Sequence, residues 1–246
     1  MRAVRLASAF LIASLALVGC ASDTAPIADP ADDKGSRDDD APRAPSRPTT
    51  TPTAEVPEAD ELTVVNSGFG QNSYDDTTWW YVVVINNPNA EWLFDFAEVT
   101  IEAVGADGTI LDSTSDYLTI LPGDVAVSGT LFDVGTAEID HLDVRGPVAD
   151  DAESAPDDGL GAFAVSEISS TTNEYSTSVS GILTSTFAAE QENVEVVVVA
   201  TAPTGAIIGA EFTYVDRLPV EGRAQFEVTF LDPLPADTGY AAYPTL

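Results

Sequence analysis

From Leu62 onward the chain reads as short runs of β-branched and aromatic residues broken by turn residues. Tyr81 to Ile85 is a continuous apolar run, stopped by Asn86-Asn87-Pro88-Asn89. Val99 to Val104 alternates and is then turned by Ala106-Asp107-Gly108. Ile110-Leu111, Tyr117 to Leu121, the turn Pro122-Gly123, and Val125 to Phe132 follow. Runs of roughly five to eight residues, with a turn signal every ten or so, predict antiparallel strands packed as a sandwich. No segment sustains the 3.6-residue period of an amphipathic helix.

The same order then returns. Val179 to Leu183 stands where Tyr81 to Ile85 stood, and Val194 to Val199 where Val99 to Val104 stood. Thr204-Gly205-Ala206-Ile207-Ile208-Gly209 matches Asp107-Gly108-Thr109-Ile110-Leu111-Asp112. Leu218-Pro219 matches Leu121-Pro122 at the same 14-residue distance from the turn glycine, and Phe226 to Phe230 closes the second copy as Val127 to Phe132 closes the first. Five features in shared spacing predict a duplicated unit. The fold class is therefore all-β: two tandem antiparallel immunoglobulin-like β-sandwiches, over 62–147 and 160–246, with 148–159 as an Asp/Ala/Pro linker. Two alternating sheets per unit cover each other's apolar faces. Gly108 and Gly205 allow the hairpin between strands, and Pro122 and Pro219 sit just before a strand, where a missing amide costs least.

This spacing of strand, Asx/Ser turn, strand, x-Gly turn, strand, Leu-Pro and strand resembles the FxLYD-type domains of bacterial lipoproteins. The resemblance implies small immunoglobulin-like sandwiches, carried on lipid anchors and mostly without known activity. In place of Phe-x-Leu-Tyr-Asp this chain has Ile101-Glu102-Ala103-Val104-Gly105, and Val198-Val199-Ala200-Thr201-Ala202 in the second copy.

The N-terminal part follows neither period. Arg2 and Arg5 precede an apolar core, Ala7 to Val18, too short for the roughly 20 residues of a spanning helix. Residues 1–19 read as an export signal. Leu17-Val18-Gly19-Cys20 resembles the lipobox of bacterial lipoproteins, which implies a lipid on the Cys20 thiol and cleavage before it. Cys20 is the only cysteine, so an intramolecular disulfide is excluded. Two acyl chains, at about 0.8 kcal/mol per buried CH2, hold a protein stably on a membrane. The expected location is the outer face of the cell membrane. Residues 20–61 are rich in Pro, Ala, Asp and Thr and almost free of large apolar side chains, so they cannot offset the entropy of ordering. They read as a disordered acidic tether with a span of about 35 Å.

Charge narrows the partners. The 246 residues carry 41 acidic and 9 basic side chains, a net charge of −32. Without Arg2 and Arg5 the balance is 41 against 7, near −34. Nucleic acid and bare anionic lipid are disfavoured, because both need Lys/Arg surfaces. A salt-adapted surface or a basic partner suits such a charge.

Candidate chemistry is sparse. His141, the single histidine, lies between Asp140 and Asp143 on an expected strand and reads as a solvated position. There is no His pair for zinc, no Gly-x-Ser-x-Gly setting and no phosphate loop before a helix. A non-enzyme is expected, with no resident cofactor. Calcium is the one ligand left open, because hard cations want converging oxygens from acidic loops. The candidate set is Asp107, Asp112 and Asp116, with Asp75-Asp76, Asp150-Asp151 and Asp157-Asp158 as further clusters; none follows an EF-hand pattern. Trp79-Trp80-Tyr81 puts Trp79 and Tyr81 on one strand face and Trp80 on the other. One large ring is then expected in a domain contact or at a surface that binds an envelope protein or carbohydrate. The functional expectation is a lipid-anchored surface protein that binds or braces an envelope partner. The alternative is a cation- or solute-binding lipoprotein serving a transporter.

Overall fold

The computed structural model describes residues 58–155 and 160–246. The expected signal peptide, Cys20, nearly all of the tether and the pair Asp157-Asp158 lie outside the described residues. Among the described residues the protein is all-β, with one short 3-10 turn at Ala149–Asp151. No helix among them is long and apolar enough to cross a membrane.

The first half supplies β1 (Thr63–Asn72), β2 (Asp75–Asn87), β3 (Trp92–Val104), β4 (Ile110–Ile120), β5 (Gly123–Leu131) and β6 (His141–Arg145). After a two-residue strand, β7 (Glu153–Ser154), the second half supplies β8 (Phe163–Thr172), β9 (Thr177–Ser185) and β10 (Gln191–Thr201). It ends with β11 (Ile207–Leu218), β12 (Arg223–Phe230) and β13 (Gly239–Thr245). Sheets form in the orders β1-β2-β5 and β4-β3-β6 in the first half, β12-β9-β8 and β11-β10-β13 in the second, all antiparallel. The two halves thus repeat one topology, strand for strand.

Side-chain alternation explains the cores. In β3 the residues Val99, Ile101 and Ala103 point inward and meet Tyr81, Val83 and Ile85 of β2 and Val125 and Val127 of β5. In the second half Val194, Val196 and Val198 of β10 meet Val179 and Leu183 of β9 and Phe226, Val228 and Phe230 of β12. The x-Gly turns recur with Gly108 at φ 82° and Gly205 at φ 87°, a region that favours glycine. Their amides close the turns onto Gly105 O at 2.9 Å and Ala202 O at 2.8 Å.

A third apolar layer joins the halves. Val82 and Val84 of β2 and Ala126 of β5, which point away from the first core, pack on Val197 and Val199 of β10, with Trp80, Ile207, Ala210 and Tyr243 around them. The sheet β1-β2-β5 is therefore covered on both faces, and so is β11-β10-β13. The order through the molecule is sheet β4-β3-β6, sheet β1-β2-β5, sheet β11-β10-β13, sheet β12-β9-β8. The described residues all fall within one compact unit. At the seam the backbones come close: a Cβ on Gly68 would lie 2.7 Å from Ile207 Cβ. The end of β13 also reaches the first half, where Thr119 N donates to Leu246 O at 2.8 Å and Thr245 Oγ1 to Thr119 O at 3.1 Å.

The stretch read as a linker is pinned to the first sandwich as far as it is described. Trp92 and Leu93 of β3 pair with Ser154 and Glu153, and Ala155 N donates to Glu91 O at 2.7 Å.

Candidate functional site

The aromatic triplet is consumed by packing. Trp79 sits against the first core with its Nε1 donating to Gly135 O at 3.1 Å. Trp80 lies in the seam over Gly70, where a Cβ would come within 2.7 Å of the indole. Tyr81 is 4% exposed. Its ring passes over Gly129, and burial first, then the charge of Asp116, pushes the phenol up to about 12. Of the two places expected for a large ring at Trp79-Trp80-Tyr81, a domain contact or a partner-binding surface, Trp80 takes the domain contact, while Trp79 is half-buried and Tyr81 buried against the first core.

The three aspartates do not converge. Asp107, in the β3–β4 turn, accepts the Thr109 amide at 3.0 Å; Asp112 accepts the amides of Ser113 at 2.7 Å and Asp133 at 3.0 Å; Asp116 accepts Tyr117 N–H at 2.8 Å. Asp112 and Asp116 share one face of β4, but four residues of strand separate them by about 13 Å. Among the described residues no three His, Cys, Asp or Glu are grouped to hold a metal ion. Asp107 and Asp116 are instead local backbone partners, which is what Asp does in turns and at strand edges, and Asp112 adds to its own local bond one to the chain just past β5. His141 opens β6 at the surface, with Nδ1 2.9 Å from Asp140 Oδ2.

The structure brings Asp116 to a different neighbour. Glu195 of β10 shares the face of Val197 and Val199 at the seam, half-buried. Burial first, and then the charge of Asp116, push its carboxyl up to about 7. Tyr214 Oη of β11 lies 3.5 Å from Glu195 Oε2, a long contact. Two carboxylates from opposite sandwiches thus come near enough for the charge of one to act on the other.

The aromatic surface lies elsewhere, on the outward face of sheet β4-β3-β6. Between Phe94 and Ala97 the β3–β4 register slips, a β-bulge, and Phe96 takes φ 46°. The bulge keeps both Phe94 and Ala97 in the core and turns Phe96 out, 72% exposed. Its ring stacks on Tyr117 of β4, centroids 5.2 Å apart and planes at 22°. Beside the pair lies a groove of about 380 Å³ whose lining includes Asp95, Phe96, Glu98, Pro147 and Asp151. The carboxylates here are held in place. Asp95 accepts Thr119 Oγ1–H at 2.9 Å, and Asp151 accepts the Val148 amide at 3.0 Å. Glu98 faces Tyr117 across the strands, and hydrogen bonding to it, then its charge, raises the Tyr117 phenol.

Pattern reading missed Phe96, although a signal was present. Carrying the alternation of Val99, Ile101 and Ala103 back through Ala97 would bury Asp95 and expose both Phe94 and Phe96. A sequence that asks for a buried aspartate between two exposed phenylalanines is asking for a bulge.

No family model matches the chain, and no curated protein matches it. Among solved structures, a calcium-binding mutant of β-glucuronidase 2 from Bacteroides uniformis overlaps 70% of this chain at 11% identity and a TM-score of 0.24. The same enzyme covalently bound to cyclophellitol-6-carboxylate aziridine overlaps 70% at 12% identity and a TM-score of 0.23. A third structure, of Bacteroides uniformis β-glucuronidase, overlaps 75% at 11% identity and a TM-score of 0.22. The chain spans 28% of the length of each. Scores this low do not relate the folds.

Proposed function

We propose that this chain is a non-catalytic binding module, held at the outer face of a membrane by lipid on Cys20 and presented on the segment 20–61, that engages an envelope partner through the outer face of its first sandwich. The observation that carries the reading is Phe96. A bulky residue in the left-handed region costs backbone energy, and strain of this kind gathers at functional positions. Here it holds a large ring in water, stacked and flanked by fixed carboxylates, where the fold gains little from it. The rest of the body suits a rigid support, with two sandwiches fused through an apolar seam.

Capture from intact envelopes tests this. The full chain, tagged at its C-terminus, is cross-linked in place beside a Phe96→Ala, Tyr117→Ala double variant. A partner captured by the parent and lost from the variant is the expected result. Equal capture by both, or no capture at any salt concentration, overturns the reading.

A further inference from the structure

We infer that the groove beside Phe96 receives an arginine side chain of a partner polypeptide, with the guanidinium plane on the open face of Phe96 and its N–H donors toward Asp95 and Glu98. The inference rests on the binding role just proposed and names the chemistry of the contact.

Three features select this occupant. First, Phe96 has one face on Tyr117 and is otherwise mostly in water, so its π-face is free for a planar cation. Second, the polar groups of the groove are acceptors. Asp95 and Glu98 lie beside Phe96 in β3 and Asp151 lines the same groove, and each is already oriented by a neighbour. A guanidinium matches a carboxylate fork with two parallel charged donors, which an aliphatic or neutral guest lacks. Lysine offers a point charge without the plane that stacks. Third, the groove meets no intramolecular competitor among the described residues. The three arginines there are each paired with a glutamate: Arg145 with Glu102, Arg217 with Glu190, and Arg223 with Glu167.

An acidic surface attracts any cation, so the test must separate a located site from diffuse attraction. The full chain, isotope-labelled in detergent micelles, is titrated with N-acetyl-arginine amide at constant ionic strength while backbone amide shifts are followed. The expected result is saturable shifts at Asp95, Phe96, Glu98 and Tyr117, with N-acetyl-lysine amide several-fold weaker. Phe96→Gly and Glu98→Gln should each weaken the arginine probe about tenfold. Phe96→Gly suits the backbone already present, so loss of binding there cannot be blamed on unfolding. Shifts spread evenly over distant acids such as Asp216 and Glu227, and unchanged in the variants, overturn the inference. So does a response of the same residues to a neutral oligosaccharide with none to arginine. In either case a partner still lost from the Phe96→Ala, Tyr117→Ala envelope capture leaves the binding role standing, so the two failures are distinguishable.

Discussion

At the residue scale, the informative positions are those where a side chain sits against the preference of its backbone or its surroundings. Phe96 is the first. Because φ is 46° there, the usual ranking of glycine below alanine in a strand should invert. Phe96→Gly is expected to melt above Phe96→Ala, with a stability difference of about 1 kcal/mol, as measured by denaturant unfolding. The reverse order would mean that the bulge relaxes once the ring is gone. Glu195 is the second. Its carboxyl holds a proton up to about 7 in the folded chain, against 4.5 ordinarily. Between those values the folded state binds more protons than the unfolded one, so stability falls as pH rises through the window. Glu195→Gln should flatten that slope and raise the melting temperature at pH 8; an unchanged slope would show that burial and the Asp116 charge do not hold the proton on this group. Asp75, Asp107 and Glu190 work in the opposite sense. Hydrogen bonds from Thr77, Thr109 and Arg217 lower their values, so what they add is present at neutral pH and lost in acid.

At the scale of elements, the corner between β2 and β3 shows how a turn motif becomes a structural joint. The sequence Asn86-Asn87-Pro88-Asn89 reads as a generic stop, yet Asn87 is 1% exposed. Its Nδ2 donates to Trp92 O at 2.9 Å and to Ile120 O at 3.3 Å, and its Oδ1 accepts Asn89 N at 3.0 Å and Asn89 Nδ2 at 2.9 Å. One side chain thus ties β2 to the start of β3 and the end of β4. Asn87→Ala would leave buried carbonyls and an amide without partners, at a cost of about 2–4 kcal/mol. Chemical denaturation should show it as a lowered midpoint with an unchanged slope; a loss under 1 kcal/mol would mean that water enters and replaces the amide. The second half solves the matching problem differently. At the equivalent corner, between β9 and β10, buried Ser185 accepts the Phe187 amide at 3.1 Å, as Asn87 accepts Asn89, but a serine has no side-chain amide to tie in further strands. The copies share topology but not their polar fasteners.

At the scale of the whole molecule, the halves are not docked as symmetric equals. The first presents sheet β1-β2-β5 and the second presents sheet β11-β10-β13, which are non-equivalent sheets of the repeat. Such a head-to-tail contact uses a different surface on each side. Because the seam includes a close approach of Gly68 to Ile207, Gly68→Ala should cost about 1–3 kcal/mol by overpacking. Proteolysis at 156–159 before and after the substitution reads the consequence: the parent's halves should stay associated after nicking, and the variant's should part more readily. If both parts separate equally, the seam is not what holds the halves. Net charge acts at this scale too. With no converging aspartates, calcium should raise the melting temperature gradually, as matched ionic strength from sodium chloride does; a sharp rise at sub-millimolar calcium would restore a specific site.

Much of the architecture is written in local patterns. Alternation and turn residues determined strands, turns and the repeat, because a strand with one buried face must alternate whatever its neighbours are. The runs Tyr81–Ile85 and Val196–Ala200 went further, since strands without alternation announce burial on both faces, and these are the centres of the two inner sheets. In their counterparts β9 and β3 the alternation survives, which marks those sheets as outer. Only the tertiary structure decided which apolar faces meet, because every valine on such a run is an equal candidate for any dry contact. It alone set Asp116 against Glu195, residues from different halves whose spacing carries no trace of the encounter. It alone turned Phe96 outward and Trp80 inward, because exposure of a large ring is settled by whether a second layer happens to lie over it.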